Sequence, residues 1–600
     1  MRRLGSDWKL KDVEKIQISK NILSTNKQNR ILKKKLIIYQ AFPRIFTNMN
    51  ADCVPGGTYE ENGSGKLDDI SPRLLKSLSD MGVNCIWLTG IIEMATKTAF
   101  ADGKIPADNP NVVKGQAGSP YAIKDYYDVS PAIATDVDRR MEEFEAVVKR
   151  THEAGMSIII DFVPNHTARV YHSDSAPTGI RDFGSDDDFS KFFARDNNYY
   201  YITNQRFAPS FDIARPGTEP YVEFPAKATG NDCFTAFCSE TDWYETVKLN
   251  YGFDPGDWST HYDPVPDTWL KMLHILRFWA SKGIDGFRCD MVFMVPREFW
   301  HWAIPQVKAD YPDIIFIGEI YEVDAYSPFI EYCHFDYLYD KVNLYDTLKG
   351  IECNNLSAAQ LSSCWQRIDG IGDSMLNFLE NHDEVRFASR EFADNPAKVV
   401  PYLVVSAMIS KGPFMIYYGQ ELGEMAHDNE GFAGDNNRST IFDYWSYDTL
   451  RRWYDNGKCS VRRLTPHEKW LRAVYSRILN LCNDIAAIRE GNFFDLMYVN
   501  LRNPKFDPHR QFAFIRYTDS EILLFVVNFD SKPANVGVII PDLAFDMAII
   551  EEGIFHETDL IWGLDHTLDV RRGQPVNMEI GGYDALIVPL KKIVAKTSHK

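Results

Sequence analysis

The sequence predicts an α/β fold: a closed (β/α)8 barrel of the TIM type, with a lobe inserted after the third strand and a C-terminal antiparallel β domain. Three observations predict it. Short, continuously apolar runs alternate with amphipathic helical stretches, the pattern of a parallel sheet covered on both faces. Charged residues stand at the C-terminal ends of several of these runs, where such a barrel gathers its chemistry. The first run leads into "PRIFTNMN" and not into a glycine-rich phosphate turn, which argues against a doubly wound nucleotide-binding sheet.

The elements follow in order. Strands are expected at "IIYQAF" (37–42), "NCIWLT" (84–89), "SIIIDFV" (157–163), "GFRCDMV" (286–292), "IIFIGEI" (314–320), "MLNFLE" (375–380) and "FMIYYG" (414–419). "MEEFEAVVKRTHEAG" (141–155) places Met141, Phe144, Val147, Val148 and Ala154 on one stripe and stops at Gly155, and "DTWLKMLHILRFWASKG" (267–283) repeats the scheme up to Gly283. Apolar side chains at helical spacing share a face, and glycine readily ends a helix. Asp290 and Glu319 are 29 residues apart, one strand–helix unit. Glu319 and Asp383 are 64 apart, two units, which predicts a sixth strand near "HFDYL" (334–338). Asp161 and Asp290 are 129 apart, too far for one unit, so an irregular lobe of roughly 80 residues leaves the barrel at about 167–250. After a last amphipathic helix (465–490), "FAFIRYTDSEILLFVVNF" (512–529) alternates with period two around a turn, as antiparallel strands do. The expected layout is a basic extension over 1–35 ending in "ILKKK", the barrel over 36–490, and a β-sandwich over 491–600.

Composition limits the function classes. Hydrophobic residues at 45% and charged residues at 25% are ordinary for a globular protein. A net charge of −19 argues against nucleic acid as a partner, because phosphate binding needs a surplus of Lys and Arg. No apolar leader follows Arg2 and Arg3, and the longest apolar stretch, "VVPYLVVSAMIS" (399–410), contains a proline and is too short to span a bilayer. The ten cysteines form no C-x-x-C pair, and Cys85 and Cys289 fall inside expected strands, where a reduced thiol packs as a small apolar group. These features predict a reducing, cytoplasmic setting with no membrane span.

Arg288 and Asp290 sit two positions apart in "GIDGFRCDMVFM" (283–294). Side chains at i and i+2 of a strand point the same way. A guanidinium and a carboxylate therefore share one face at the end of a core strand, where the arginine can bond the carboxylate, keep it ionised and fix its rotamer. Asp161 follows "SIII", Glu319 follows "IIFIG" and Asp383 follows "MLNFLENH", which puts several acids at one barrel mouth.

Four blocks, in this order, carry a resemblance: "DFVPNH" (161–166), "GFRCD" (286–290), "IGEI" (317–320) and "FLENHD" (378–383). They resemble those of the α-amylase family (glycoside hydrolase family 13), and flanking phrases agree, among them "PYAIKDYY" (120–127) and "GPFMIYYGQELG" (412–423). The resemblance implies a retaining enzyme that cleaves α-1,4-glucosidic bonds in maltooligosaccharides or starch-derived glucans through a covalent glucosyl-enzyme intermediate. An α-glucosidase or an α-glucan transglycosylase of the same family stays open as an alternative, as does a non-catalytic carbohydrate-binding barrel. It implies Asp290 as nucleophile, Glu319 as acid/base and Asp383 as stabiliser of the oxocarbenium-like charge. Three acids gathered this closely cannot all ionise freely, and Glu319 is expected to hold the proton. The resemblance also implies Tyr121 as a platform for the sugar ring and His166 and His382 as partners of its hydroxyls, with Arg288 at the same subsite. Asp161 is expected to order Arg288 or the neighbouring loop, and Arg386 either to pair with an acid at the mouth or to play a structural role. Asn165 corresponds to a position that binds calcium through its side-chain oxygen in many family members, while in calcium-free members it only bonds backbone; the resemblance thus leaves Ca2+ open as the one cofactor, with no organic cofactor. The sequence departs from the family on the leaving-group side. Phe293 and Met294 stand where Lys and His are common, and Pro120 and Ala122 flank Tyr121 where Gly and Asp are common. These departures point away from long starch chains as the substrate.

Overall fold

The computed structural model describes residues 35–593, so the basic extension expected over 1–35 lies, apart from Lys35, outside the described residues. Eight strands close a barrel: β1 (Ile37–Ala41), β2 (Cys85–Leu88), β3 (Ser157–Phe162), β4 (Gly286–Cys289), β5 (Ile315–Gly318), β6 (Tyr337–Tyr339), β7 (Met375–Phe378) and β8 (Phe414–Tyr417). Each pairs in parallel with the next, and β8 closes on β1 through Phe414 and Ile37. The continuous apolar runs form these strands because one face fills the barrel and the other lies under helices; β1 and β8 are buried at every residue. The sixth strand begins at Tyr337, within the "HFDYL" stretch expected for it.

Helices cover the barrel. Among them α1 (Arg140–Glu153) buries Phe144, Val147 and Val148, and α2 (Asp267–Ser281) buries Trp269, Met272, Leu276 and Trp279. Gly155 and Gly283 follow them with φ of 75° and 88°, left-handed values that a β-carbon would strain. The longest apolar stretch forms α3 (Val399–Met408), buried at every residue, because it lies between the barrel and the C-terminal sheet. Among the described residues no helix is long and apolar enough to cross a membrane.

Two excursions rise from the C-terminal ends of the strands. After β3, His166–Ala168 pairs antiparallel with Thr246–Lys248, closing a largely irregular lobe. The lobe has a small core of its own around Ile202, Phe207, Ala226, Cys238 and Tyr244. After β2, Ile92–Met94 pairs with Ile123–Val129, so much of the "PYAIKDYY" segment is strand. Tyr126 joins the two excursions by donating to the carbonyls of Val163 (2.5 Å) and His166 (3.0 Å).

Beyond α4 (Pro466–Asp484), the chain forms a four-stranded antiparallel sheet from Asn492–Asp495, Gln511–Tyr517, Ile522–Asn528 and Asp584–Pro589, with two further two-stranded ribbons. The alternating segment supplies two of its strands, and both are buried at every residue. Polar Arg516 is accommodated on the barrel side, where it donates to the carbonyls of Met408 (3.2 Å), Ile488 (3.0 Å) and Gly491 (2.7 Å).

Candidate active site

The β4 strand organises the site through its register. Arg288 stands opposite Asp161 of β3 and Ile317 of β5, and Cys289 stands opposite Gly318. The ladder runs one step further, with the Glu319 amide donating to the Cys289 carbonyl at 3.0 Å and the Asp290 amide to the Phe162 carbonyl at 2.9 Å. Asp290 and Glu319 thus occupy the same rung of neighbouring strands, whose backbones lie about 4.8 Å apart.

The Arg288 guanidinium, fully buried, ties these acids together. Its Nη1 donates to Asp290 Oδ1 at 2.8 Å and to Asp161 Oδ1 at 3.4 Å, and its Nε donates to the Tyr339 hydroxyl at 3.2 Å. Its Nη2 forms an ion pair with Glu319 Oε2 at 2.8 Å. Burial works against the charge of Arg288, but Glu319, Tyr339, Tyr121 and Asp290 outweigh it and hold the guanidinium protonated. Burial and then the Glu319 carboxylate push Asp290 well above the usual carboxylate range, with Arg288 pulling the other way. Asp161 is raised by burial against the opposing pull of Arg288 and His382.

A second group faces the first. Tyr121 stacks on His382 with ring centres 5.2 Å apart, and its hydroxyl lies 2.6 Å from His382 Nε2. The same nitrogen lies 3.0 Å from Asp383 Oδ2, and His382 Nδ1 lies 2.9 Å from the Gln40 amide nitrogen. The Asp383 side chain is 41% exposed, the most open of the three acids. Desolvation opposes its ionisation, but His382, Arg288 and Arg438 prevail and hold its carboxyl at about 2. The Arg288 guanidinium lies 5.3 Å from the Tyr121 ring centre, so the two groups meet.

Asp290, Glu319, Asp383, Arg288, His382 and Tyr121 therefore come together. His166 is bonded elsewhere: it packs on Trp243 at 5.3 Å and meets the Asn165 amide nitrogen at 3.1 Å. Burial, then Lys248, lowers its imidazole to about 3, while a bond to the Tyr121 carbonyl opposes the shift. Arg386 pairs with buried Glu380 at 3.3 Å and lies over the Tyr417 ring at 4.2 Å, away from the Arg288 cluster.

The residues around Asn165 do not fit the calcium ion expected there. Its side-chain oxygen accepts a bond from the Lys248 ammonium at 2.5 Å, and the same ammonium reaches the Met294 carbonyl at 3.0 Å and Asp232 Oδ1 at 2.6 Å. A fixed positive charge already holds the oxygens that a cation would need. Among the described residues no cluster of three or more His, Cys, Asp or Glu side chains is gathered to hold a metal.

Several contributors escaped the sequence reading. Trp87 donates from its indole to Asp161 Oδ2 at 3.0 Å, Tyr339 accepts from Arg288, and the Tyr321 hydroxyl bonds Glu319 Oε1. Strand register was the available signal for Trp87, which is two rungs before the rung that Asp161 occupies on the neighbouring strand. Lys248 sits at the closing end of the lobe and carries no sequence signal.

Comparison with known proteins accords with this geometry. The family described as "Alpha amylase, catalytic domain" matches residues 40–474. The chain is 24% identical over 570 residues to the alpha-glucosidase of Apis mellifera, covering 84% of this chain and 86% of that protein. It is 22% identical over 520 residues to a cyclomaltodextrinase of Bacillus sp, covering 83% of this chain and 73% of that protein. Among solved structures, the maltogenic alpha-amylase AmyB of Thermotoga neapolitana shares the fold, with a TM-score of 0.59 at 19% identity over 93% of this chain and 99% of that one. The family match spans well over half of the sequence and contains all three clustered acids; the chain belongs to the α-amylase family of glycoside hydrolases.

Proposed function

We propose that the protein hydrolyses α-1,4-glucosidic bonds in maltooligosaccharides with retention of configuration. Asp290 is the nucleophile, Glu319 the acid/base and Asp383 the stabiliser of the transition state. The observation that carries this reading is the single guanidinium shared by Asp290 and Glu319, two acids on one rung of adjacent strands. A retaining pair needs carboxyls about 5–5.5 Å apart, against 6.5–9.5 Å for an inverting pair, and the spacing of neighbouring strands favours the former.

The chemistry follows from the bonds. Arg288 Nη1 steadies the Asp290 carboxylate, whose oxygen attacks the anomeric carbon. Glu319 passes its proton to the departing glycosidic oxygen, so the bond to the leaving sugar breaks as the ester to Asp290 forms. Water then loses a proton to Glu319 and displaces Asp290, and the two inversions together return the α anomer. Asp383, ionised beside His382, faces the positive charge that develops on the ring. Tyr121 offers its ring face to the sugar, and His382 is the partner for its hydroxyls. Burial is what permits these groups to act strongly, since charges interact more in a site that excludes water.

Short chains are the favoured substrates, because the leaving-group side presents Phe293, 38% exposed, beside Tyr321 with ring centres 6.5 Å apart. The relationship to an alpha-glucosidase and a cyclomaltodextrinase supports the same choice. The ten cysteines, all unpaired, support work in a reducing compartment such as the cytoplasm. The Lys248 contact supports an enzyme that needs no calcium at Asn165. Incubation with maltoheptaose, with product anomers followed by NMR, tests the reading: fresh α-anomeric maltooligosaccharides and glucose are expected, and first-formed β anomers would overturn it. Added acceptor sugars captured into new products would identify a transglycosylase instead.

A further inference from the structure

We propose that Tyr321 is a positioning residue for the acid/base step, its hydroxyl holding the one free oxygen of Glu319 in the place that the leaving-group oxygen takes when substrate binds. This rests on the assignment of Glu319 made above.

Glu319 has two carboxyl oxygens, and they are used differently. Oε2 accepts from the Met291 amide at 2.9 Å and pairs with Arg288 Nη2 at 2.8 Å. One hydrogen bond and one ion pair hold that oxygen to the barrel wall, so it cannot turn to a glycosidic bond without breaking both. The remaining oxygen, Oε1, is bonded by the Tyr321 hydroxyl. Tyr321 lies two residues beyond Glu319 and meets Phe293 edge to face. Lys341 Nζ stands 5.9 Å from its ring centre and pairs with Glu384 at 3.4 Å. Tyr321 is therefore set on the leaving-group side, over the oxygen that must move the proton.

A hydroxyl donating to a carboxylate stabilises the anion. Tyr321 thus keeps Oε1 of Glu319 aimed between turnovers, and yields its place on Oε1 when the leaving-group oxygen arrives. In the second half-reaction the attacking water occupies the same place and gives its proton to Oε1. No atom of Tyr321 is exchanged in either step. The charged and titratable groups facing Glu319 from the packed elements are Asp161 on β3, Arg288 on β4 with Asp290 just after it, and Tyr339 on β6, and Asp383 after β7 faces Asp290 and Tyr321. Replacing Tyr321 by Phe leaves all of them in place.

The test compares Tyr321→Phe with the unaltered protein on maltotriose and on α-glucosyl fluoride, with kcat/KM measured against pH. Fluoride departs without a proton from the enzyme, so it reports binding and attack alone. Loss of the tyrosine hydroxyl is expected to move the alkaline limb for maltotriose upward by about one to two pH units and to leave the fluoride profile where it was. An unmoved limb, or an equal loss on both substrates at every pH, would overturn the proposal, since a purely structural role affects both alike. If Tyr321→Phe does not fold, 3-fluorotyrosine at position 321 serves: its stronger donor moves the limb downward, and no shift would overturn the proposal. Glu319→Gln separates this from the underlying assignment. That variant should lose maltotriose cleavage and keep glycosylation by the fluoride; retained maltotriose cleavage would remove the assignment of Glu319 itself.

Discussion

Lys248 holds its ammonium 2.5 Å from the side-chain oxygen of Asn165, and the contact ties the end of the inserted lobe to the loop that leaves β3. The same ammonium reaches the Met294 carbonyl just past the nucleophile strand, so one buried lysine fastens three segments of the site. Treatment with a chelator is therefore expected to leave thermal unfolding and activity unchanged. Lys248→Met is expected to cost about 1–3 kcal/mol in urea unfolding, below the full value of a buried pair because Asp232 is 44% exposed. A melting temperature that falls on chelation and recovers with added calcium would contradict this.

Arg288→Lys should fold and yet lose about a hundredfold or more in kcat/KM. A lysine ammonium is a single point of charge and cannot bridge Asp290, Asp161 and Glu319 as the planar fork does. Activity within about threefold of the unaltered protein would show that the shared guanidinium does not organise the acids.

Glu430 makes a pH prediction. Burial first, and Glu424 to a lesser extent, raises its carboxyl to about 8 against bonds from the Tyr447 hydroxyl and the Thr440 amide. An unfolded glutamate titrates near 4.3, so between these values the folded state binds the extra proton. Its contribution to stability is full below the unfolded value and is lost as pH rises through the folded one. Glu430→Gln mimics the protonated form, so its melting temperature relative to the unaltered protein should rise by several degrees between pH 5 and pH 8. A constant difference across that window would contradict the assignment.

Phe293→Ala should raise KM for maltotriose about severalfold while leaving KM for α-glucosyl fluoride unchanged, because only the former places a sugar on the apolar leaving-group side. Equal effects on both would place Phe293 outside substrate contact.

The barrel and its acids were legible in the sequence for a local reason. Asp161, Asp290 and Glu319 each follow a short apolar run, and such runs become strands whose ends define the mouth of the barrel. Arg288 was legible because the two-residue period of a strand is rigid. Other features were fixed by packing between segments far apart in the chain. Lys248 meets Asn165 across the whole lobe, and Tyr339 reaches Arg288 from two strands away. Calcium at Asn165 was suggested by the family resemblance at that position; the neighbour that takes its oxygen is 83 residues distant. In the segment 512–529 the alternation marked two strands, but their burial on both faces depends on what packs against each side.

The central claim is that Asp290 forms the covalent bond to the sugar. The direct measurement is mass spectrometry of the protein after brief reaction with 5-fluoro-α-glucosyl fluoride, a substrate that forms the ester quickly and releases it slowly. One added fluoroglucosyl unit, mapped by peptide digestion to Asp290 and absent in Asp290→Asn, is the predicted result. A label carried by Glu319 or Asp383, or one that persists in Asp290→Asn, would contradict it.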